Sequence, residues 1–144
     1  MPDAVFLFVL GAVASLVGDH SHVVTGTLSA PDSAPFVWSS PIWFPVLVGA
    51  ATVAVAELRL RLPAPRASVT PRQGLAGVAA VVGIYVVTAL VHTAPPVPAT
   101  ALVYALAVIA WCVLGDRAGA ICGGVAAIAG TVVEAVLVNT GVFE

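Results

Sequence analysis

The stretch that decides the fold reads Ala110-Trp-Cys-Val-Leu-Gly-Asp-Arg-Ala-Gly-Ala-Ile-Cys-Gly-Gly124. Two long apolar runs meet here across a turn whose charged residues are one acid and one base, Asp116 and Arg117. Apolar runs of such length are typical of membrane-spanning helices. We therefore predict a tight hairpin of two membrane helices with its polar tip at one membrane face.

The composition extends this prediction to the whole chain. Of 144 residues, 60% are hydrophobic and 8% are charged, whereas soluble domains carry about 25% charged residues. The chain has no Lys, and its five Arg lie between positions 59 and 117, so it offers no basic patch for nucleic acid. We expect one transmembrane domain over residues 1–144, an all-α polytopic membrane protein. Cys112 and Cys122 are interpreted as small core residues.

Five apolar runs predict membrane spans, at residues 4–24, 41–58, 73–91, 98–115 and 118–138. The first reaches span length only by continuing through Asp19-His-Ser-His22. A cleaved signal peptide is the alternative, but no basic residue precedes this run. The turn-rich residues 25–40 form the longest loop, and Trp38 and Trp43 mark one membrane interface. In the second span, Pro41 suits the first helical turn.

Threading these spans in alternation places residues 59–72 and the turn Asp116-Arg117 on the same side. All five Arg then lie on that side, which predicts that it faces the cytoplasm, while Asp19 to Ser40 face outward. Glu57 lies four residues before Arg61, the favourable order for an ion pair along a helix.

Small residues predict which helices approach one another. Gly119, Gly123, Ala127 and Thr131 recur every four residues along the fifth span, a pattern that allows a neighbouring backbone to come close. We therefore expect the fifth helix in the interior of the bundle. Three glycines give the third span a weaker version of the pattern, at Gly74, Gly77 and Gly83.

Asp116 has two interpretations. As the N-cap of the fifth span, its carboxylate would accept a free backbone N–H of the first helical turn. As a functional acid at the cytoplasmic face, it would interact with a partner or take part in closing the bundle. The sequence does not separate the two.

Several ionisable residues gather toward the outer face, and they are candidate metal ligands: Asp19, His20, His22, His92 and Glu134. His20 and His22 are two residues apart and diverge on a helix, so we predict no metal site. Glu134, inside a span, has either a structural role as a hydrogen-bonded or snorkelling acid or a functional one. The chain contains no catalytic triad, phosphate-binding glycine loop or zinc-protease motif.

Polar side chains also share helical faces. Tyr85, Thr88 and His92 lie on one face of the third span, and Thr100 and Tyr104 on one face of the fourth. These hydroxyls either line a cavity for an amphiphilic ligand or form hydrogen bonds between helices.

Four segments carry a resemblance to a known family: Ser39-Ser-Pro-Ile-Trp-Phe-Pro-Val-Leu-Val-Gly49, Val82-Gly-Ile84, Trp111-Cys-Val-Leu-Gly-Asp-Arg117 and Gly141-Val-Phe143. Together with the order of the spans, they resemble the Insig (insulin-induced gene) proteins from about Phe6 to Phe143. The first segment is similar to the family's Ser-Ser-x-Trp-Trp-x-Pro spacing, and the third to its Trp…Asp-Arg…Gly hairpin.

The resemblance implies a helical bundle of six helices, of which five are visible here, that is not an enzyme and holds one lipid in a central pocket. In animals the ligand is an oxysterol, and the protein retains Scap in the endoplasmic reticulum. Bacterial relatives accommodate diacylglycerol and form homotrimers. With a composition typical of GC-rich bacteria, we expect a bacterial plasma-membrane protein. No cofactor is expected besides a bound lipid.

On this resemblance, Asp116 corresponds to the aspartate that the family needs for function, and it would face a membrane-protein partner. We predict that six residues line the lipid pocket: Trp43, Val81, Tyr85, Thr100, Val103 and Tyr104. The chain departs from the family in lacking the sixth helix and in shortening the turn to Asp116-Arg-Ala-Gly119. Ala99 or Thr100 stands near the glutamine that guards the pocket in animals, which puts sterol specificity in doubt.

Two alternatives of other classes remain. The chain would be half of a small proton-coupled transporter if Glu57 or Glu134 carried protons and two copies formed the pathway. It would be an intramembrane metal hydrolase if the outer histidines and acids held zinc.

Overall fold

The computed structural model describes residues 2–27, 36–63 and 70–140. Within these ranges the chain forms five long helices: α1 (Pro2–Val24), α2 (Trp43–Arg61), α3 (Pro71–Leu90), α4 (Pro96–Leu114) and α5 (Arg117–Asn139). Each is long and apolar enough to cross a membrane. The predicted all-α fold with five spans is confirmed, and the protein is an integral membrane protein. The Gly141–Phe143 segment lies outside the described residues.

The helix boundaries differ from the predicted ones by up to three residues, for local reasons. α2 runs to Arg61 and stops before Leu62, because Pro63 disfavours helical backbone at the residue before it. α3 begins at Pro71, since Thr70 and Gln73 form a capping box in which each side chain bonds the other's backbone N–H. α4 likewise starts at a proline, Pro96.

A short β-hairpin between α1 and α2 was not predicted. Strand β1 (Phe36–Val37) pairs antiparallel with β2 (Ser40–Pro41), so the prediction that Pro41 lies in the second helix is wrong. Trp38 turns the chain with a φ of 59°, rare for a bulky residue. Its ring stacks on His20 at 4.0 Å, and Ser39 Oγ lies 2.7 Å from His20 Nδ1. These contacts hold the hairpin against the end of α1.

α1 lies at the centre of the described bundle, between α2 and α3. Glycines permit the close approaches, because a methyl group on Gly11 would overlap Thr52 and one on Gly49 would overlap Phe8. On the other side of α1, Gly18 leaves room for the Tyr85 ring. The three glycines that were predicted to allow close packing of the third span have no such neighbour. Nothing lies within 4 Å of a methyl group built on Gly74, Gly77 or Gly83.

The predicted tight hairpin of α4 and α5 is wrong. The two-residue turn exists, but among the described elements α4 packs on α3 and α5 packs on α2, and the two helices do not pack on each other. The prediction that α5 lies in the interior is also wrong for the described chain, since Ala118 and Cys122 are its buried residues and Gly123 faces open space. A small-residue stripe permits close packing, but it does not determine the side from which a neighbour comes.

Candidate functional site

The turn between α4 and α5 is built around the indole ring of Trp111. A methyl group on Gly115 would overlap both the ring and the carbonyl of Trp111, and one on Gly119 would lie 3.8 Å from the same ring. The backbone N–H of Gly115 donates to Trp111 O at 2.7 Å and closes the last turn of α4. The glycines at 115 and 119 therefore give this Trp…Gly-Asp-Arg…Gly segment its geometry.

Asp116 follows Gly115 and has two partners at once. Its Oδ1 accepts the backbone N–H of Gly119 at 2.6 Å, which confirms the predicted N-cap of α5. The same carboxylate binds Arg59, near the end of α2, through Nη1 to Oδ1 at 2.8 Å and Nη2 to Oδ2 at 2.5 Å. A bidentate pair of this kind is geometrically specific. It also confirms that the ends of α2 and α4 lie at the same face of the bundle.

The electrostatics of Asp116 follow from these contacts. The hydrogen bond from Arg59 holds the pKa of the Asp116 carboxyl well below its usual range, and the N–H of Gly119 lowers it further. Both bonds are made to the ionised form, which they stabilise. The carboxylate is therefore charged at neutral pH, and that charge is paired within the chain.

A cavity of about 610 Å³ opens beside this pair. It lies between α1, α2 and α3, with the start of the α4–α5 turn closing one end. Its walls are apolar, and its residues include Leu10, Gly11, Ala14, Gly77, Val78 and Val81. Its charged and amide groups lie at the end formed by the turn, where Arg59, Gln73 and Asp116 face it, and Thr52 lies in the wall. We call this space the main cavity.

A second cavity of about 400 Å³ lies near the opposite end of α3, against the start of α4. It is lined by residues that include Thr88, His92, Thr100, Val103 and Tyr104. The six residues predicted for one pocket are therefore separated. Val81 lines the main cavity, while Thr100, Val103 and Tyr104 line the second.

The remaining two predicted pocket residues line neither of these cavities. Tyr85 lies between α1 and α3, with its ring 4.4 Å from that of His22 and against Gly18. Trp43 meets the ring of Phe44 edge-on at 5.8 Å. Contact of these residues with a lipid stays a prediction.

The polar face of α3 takes part in a bond between helices, one of the two outcomes that the sequence left open. Thr88 Oγ1 lies 3.1 Å from His22 Nε2, which links α3 to α1. This contact and the Gly18–Tyr85 contact have nearly the same sequence offset, so α1 and α3 run parallel. That direction agrees with the alternating topology.

The outer ionisable residues do not gather around one point. Within the described ranges, no group of three or more His, Cys, Asp or Glu side chains could hold a metal ion. Asp19 and His22 are buried, whereas Glu134 is exposed. Glu57 lies 3.7 Å from Arg61, which confirms the predicted pair.

Sequence reasoning missed Arg59 and Gln73 as parts of the site. The topology already placed Arg59 and Asp116 at the same face with opposite charges, a signal for the ion pair. Thr70-Pro-Arg-Gln73 has the capping-box spacing, which would have moved the predicted start of α3 from Gln73 back to Pro71.

Comparison with known proteins agrees with this arrangement. No family model matches the chain. A curated relative, the INSIG protein homolog of Mycolicibacterium vanbaalenii, is 68% identical over 142 residues, covering 98% of this chain and 70% of the relative.

Two solved structures resemble the fold over 99% of this chain and 76% of theirs, each with a TM-score of 0.95. One is the crystal structure of MvINS, a mycobacterial Insig homolog from Mycobacterium vanbaalenii, at 67% identity. The other is a cross-linked trimer of a cysteine variant of MvINS, at 65% identity. With a relative of this identity and coverage, the chain belongs to the Insig family.

Proposed function

We propose that this protein is a non-enzymatic membrane protein that binds and senses a lipid, held in the main cavity between α1, α2 and α3. The observation that carries the proposal is the distribution of polar groups in that cavity: the walls are mostly apolar, and the charged and amide groups lie at one end. Thr52, a polar residue in the wall, donates its hydroxyl hydrogen to Val48 O of its own helix. An amphiphile with one head group and an apolar body matches this distribution. Its volume of about 610 Å³ lies within the roughly 300–1,000 Å³ of small-molecule sites.

The walls leave room for such a body. Gly74 and Gly77 line the cavity, and nothing lies within 4 Å of a methyl group built on either. At the polar end, Arg59 and Asp116 neutralise each other, and Gln73 adds an amide. An uncharged head group with hydroxyl or ester oxygens therefore fits better than an anionic one. Diacylglycerol-like and sterol-like lipids both have such head groups.

Family membership supports the remaining parts of the proposal. We propose that the protein lies in a bacterial plasma membrane and assembles as a homotrimer, since a cross-linked form of the related MvINS is a trimer. The face around Asp116 is proposed to receive a membrane-protein partner. The exposed apolar surfaces of α4 and α5 would then be covered by lipid and neighbouring copies.

The lipid proposal is tested by native mass spectrometry of the full chain purified in mild detergent. We expect the wild-type protein to retain a lipid of diacylglycerol or sterol mass. Gly77→Leu places a side chain of four carbons in the cavity, so it should lose most of that lipid.

Gly123→Leu is the matched control, because Gly123 also has open space around it but lies outside the cavity. It should retain the lipid like the wild type. Wild-type protein without any lipid of this size, or equal retention by Gly77→Leu, would contradict the proposal. The trimer is tested separately by the mass of the detergent complex, and a monomer at every protein concentration would exclude it.

A further inference from the structure

A cluster of polar residues joins the outer ends of α1 and α3, far from the Arg59–Asp116 pair. We call it the outer cluster, formed by Asp19, His22, Tyr85 and Thr88. His22 is 7% exposed, and both of its ring nitrogens have a neighbour. Nδ1 lies 3.0 Å from Gly18 O, and Nε2 lies 3.1 Å from Thr88 Oγ1.

The hydrogens of these bonds can be counted. A backbone carbonyl only accepts, so Nδ1 must donate to Gly18 O. The Thr88 hydroxyl donates its single hydrogen to Tyr85 O, at 2.6 Å, and it can then only accept from His22 Nε2. All three bonds therefore form together only when both nitrogens of His22 carry hydrogen, which makes the ring an imidazolium.

The neutral ring satisfies one bond fewer. If Nε2 has no hydrogen, the Thr88 hydroxyl must turn to donate to it and gives up Tyr85 O, or stays on Tyr85 O and loses His22. The second proton of His22 thus adds one hydrogen bond, because it allows the bond between α1 and α3 and the bond from Thr88 to Tyr85 O to form together. Hydrogen bonds to a charged group are also stronger than those between neutral groups.

A buried imidazolium needs a compensating charge. Asp19 lies three residues before His22, on the same face of α1. It is 3% exposed, and its Oδ2 has no hydrogen-bond partner. The described arginines lie at the other end of the bundle, where they cannot neutralise Asp19.

Other titratable groups around the outer cluster have separate partners or lie at its edge. His20 bonds Ser39 and stacks on Trp38, and His92 Nδ1 bonds Ala89 O. The Tyr85 ring packs on His22 with its centroid 4.4 Å away, and Glu134 lies on the exposed helix α5. Among the described residues, no Lys or Arg lies at this end of the bundle.

We propose that the outer cluster is a proton-binding site, in which His22 takes a second proton opposite Asp19 and thereby tightens the contact of α1 with α3. The ligand is the proton itself, and the site is separate from the main cavity. The added hydrogen bond and the charge on its donor are present when His22 is charged, and both are lost as the pH rises. Both helices also form walls of the main cavity. Protonation at the outer cluster therefore stabilises the packing of two helices that enclose that cavity.

The test is the cost of Thr88→Val at two pH values, in the full chain in detergent. Thermal unfolding is followed at about pH 5 and about pH 8, the interval over which histidine ordinarily changes charge. Thr88→Val should lower the melting temperature by several degrees more at the acid value. In a His22→Phe background, the cost should be the same at both values.

Thr131→Val is the control, because the Thr131 hydroxyl also bonds a carbonyl within its own helix, Ala127 O, but α5 carries no histidine. Its cost should not depend on pH. An equal cost of Thr88→Val at both pH values in the wild-type background overturns the proposal.

The protonation itself is read by nitrogen NMR of protein labelled at its three histidines, with His22→Phe assigning the signal. At about pH 5, both ring nitrogens of His22 should carry hydrogen. A His22 ring that keeps one bare nitrogen there overturns the proposal, whatever the unfolding data show.

Discussion

Arg59 and Asp116 are joined through both Nη atoms and both carboxylate oxygens, while the carboxylate also caps α5 through Gly119 N–H. One side chain thus ties the end of α2 to the start of α5. Since α4 and α5 do not pack on each other, this contact helps to set the direction in which α5 leaves the turn. The carboxylate of Asp116 therefore caps α5, as one interpretation predicted, and also joins two helices of the bundle through Arg59.

Substitutions at Asp116 should separate the cap from the ion pair. Asp116→Asn keeps an oxygen for Gly119 N–H but loses the charge facing Arg59, whereas Asp116→Ala loses both. We expect melting temperatures in the order wild type, Asn, Ala, with each step costing a few degrees. Thermal unfolding in detergent measures this directly.

Arg59→Gln is the companion variant, because it removes the pair and leaves the cap. Its melting temperature should resemble that of Asp116→Asn, and the double variant should be little worse than either. Additive losses would show that the pair contributes nothing.

A pull-down from membranes with the same variants tests the proposed partner, and equal recovery with wild type and both Asp116 variants would argue against it.

The ion pair should also govern stability in acid. The unfolded Asp116 carboxyl takes up a proton near its ordinary pKa of about 4, while Arg59 holds the pKa of the folded carboxyl well below that range. The contribution of the pair is therefore complete above about pH 4 and is lost as the pH falls toward the folded value.

This pH dependence is measured as the melting-temperature difference between wild type and Asp116→Ala. The difference should be constant from about pH 8 to about pH 5 and shrink only below about pH 4. Contributions from groups other than Asp116 are the same in both proteins and cancel in this difference. A difference that already changed between pH 8 and pH 5 would disprove the assignment to Asp116.

The sequence predicted the number and type of the helices because each span is a long apolar run, and this signal is local to the run. The cap at Asp116 was equally local, since an acid directly before a helix meets its free N–H groups. The packing partners of α5, in contrast, could not be predicted from the sequence of that helix. Its glycines and alanines allow contact on several sides, and the Arg59–Asp116 bond joins residues 57 positions apart.

The predicted lipid pocket shows the same limit. Helical spacing correctly placed Thr88 and Tyr85 on one face of α3, but it could not tell which helix that face meets. The face meets α1, where His22 and Gly18 receive these side chains. The outer cluster and the separation of the two cavities result from this contact between α3 and α1. A periodic pattern along one helix does not predict which helix it contacts.

The sided topology stays a prediction that labelling can check. Exposed positions at the ends of the described helices are suitable for this test, and Thr27 and Arg72 are two such positions. In a Cys112→Ser background, an impermeant thiol reagent applied to cells should modify Thr27→Cys and not Arg72→Cys, because α1 ends outside and α3 begins inside. Permeabilised cells should show labelling at both sites, and the reverse pattern in intact cells would invert the topology.

The charge balance at the polar end of the main cavity leads to a prediction about the lipid. Arg59 and Asp116 both face the cavity and cancel each other, so an anionic head group gains no net attraction there. Asp116→Asn keeps the cap but leaves the guanidinium of Arg59 uncompensated. We expect this variant to shift retention from diacylglycerol toward phosphatidate when both are offered in equal amounts in mixed micelles.

The readout is the ratio of the two lipids bound, measured by mass spectrometry after removal of free lipid. Wild type should favour diacylglycerol, Asp116→Asn should raise the phosphatidate share several-fold, and Asp116→Asn combined with Arg59→Gln should restore the wild-type ratio. The restoration matters, because it separates the effect of the uncompensated charge from a general loosening of the turn. An unchanged ratio in Asp116→Asn would show that the head group lies elsewhere than beside this pair.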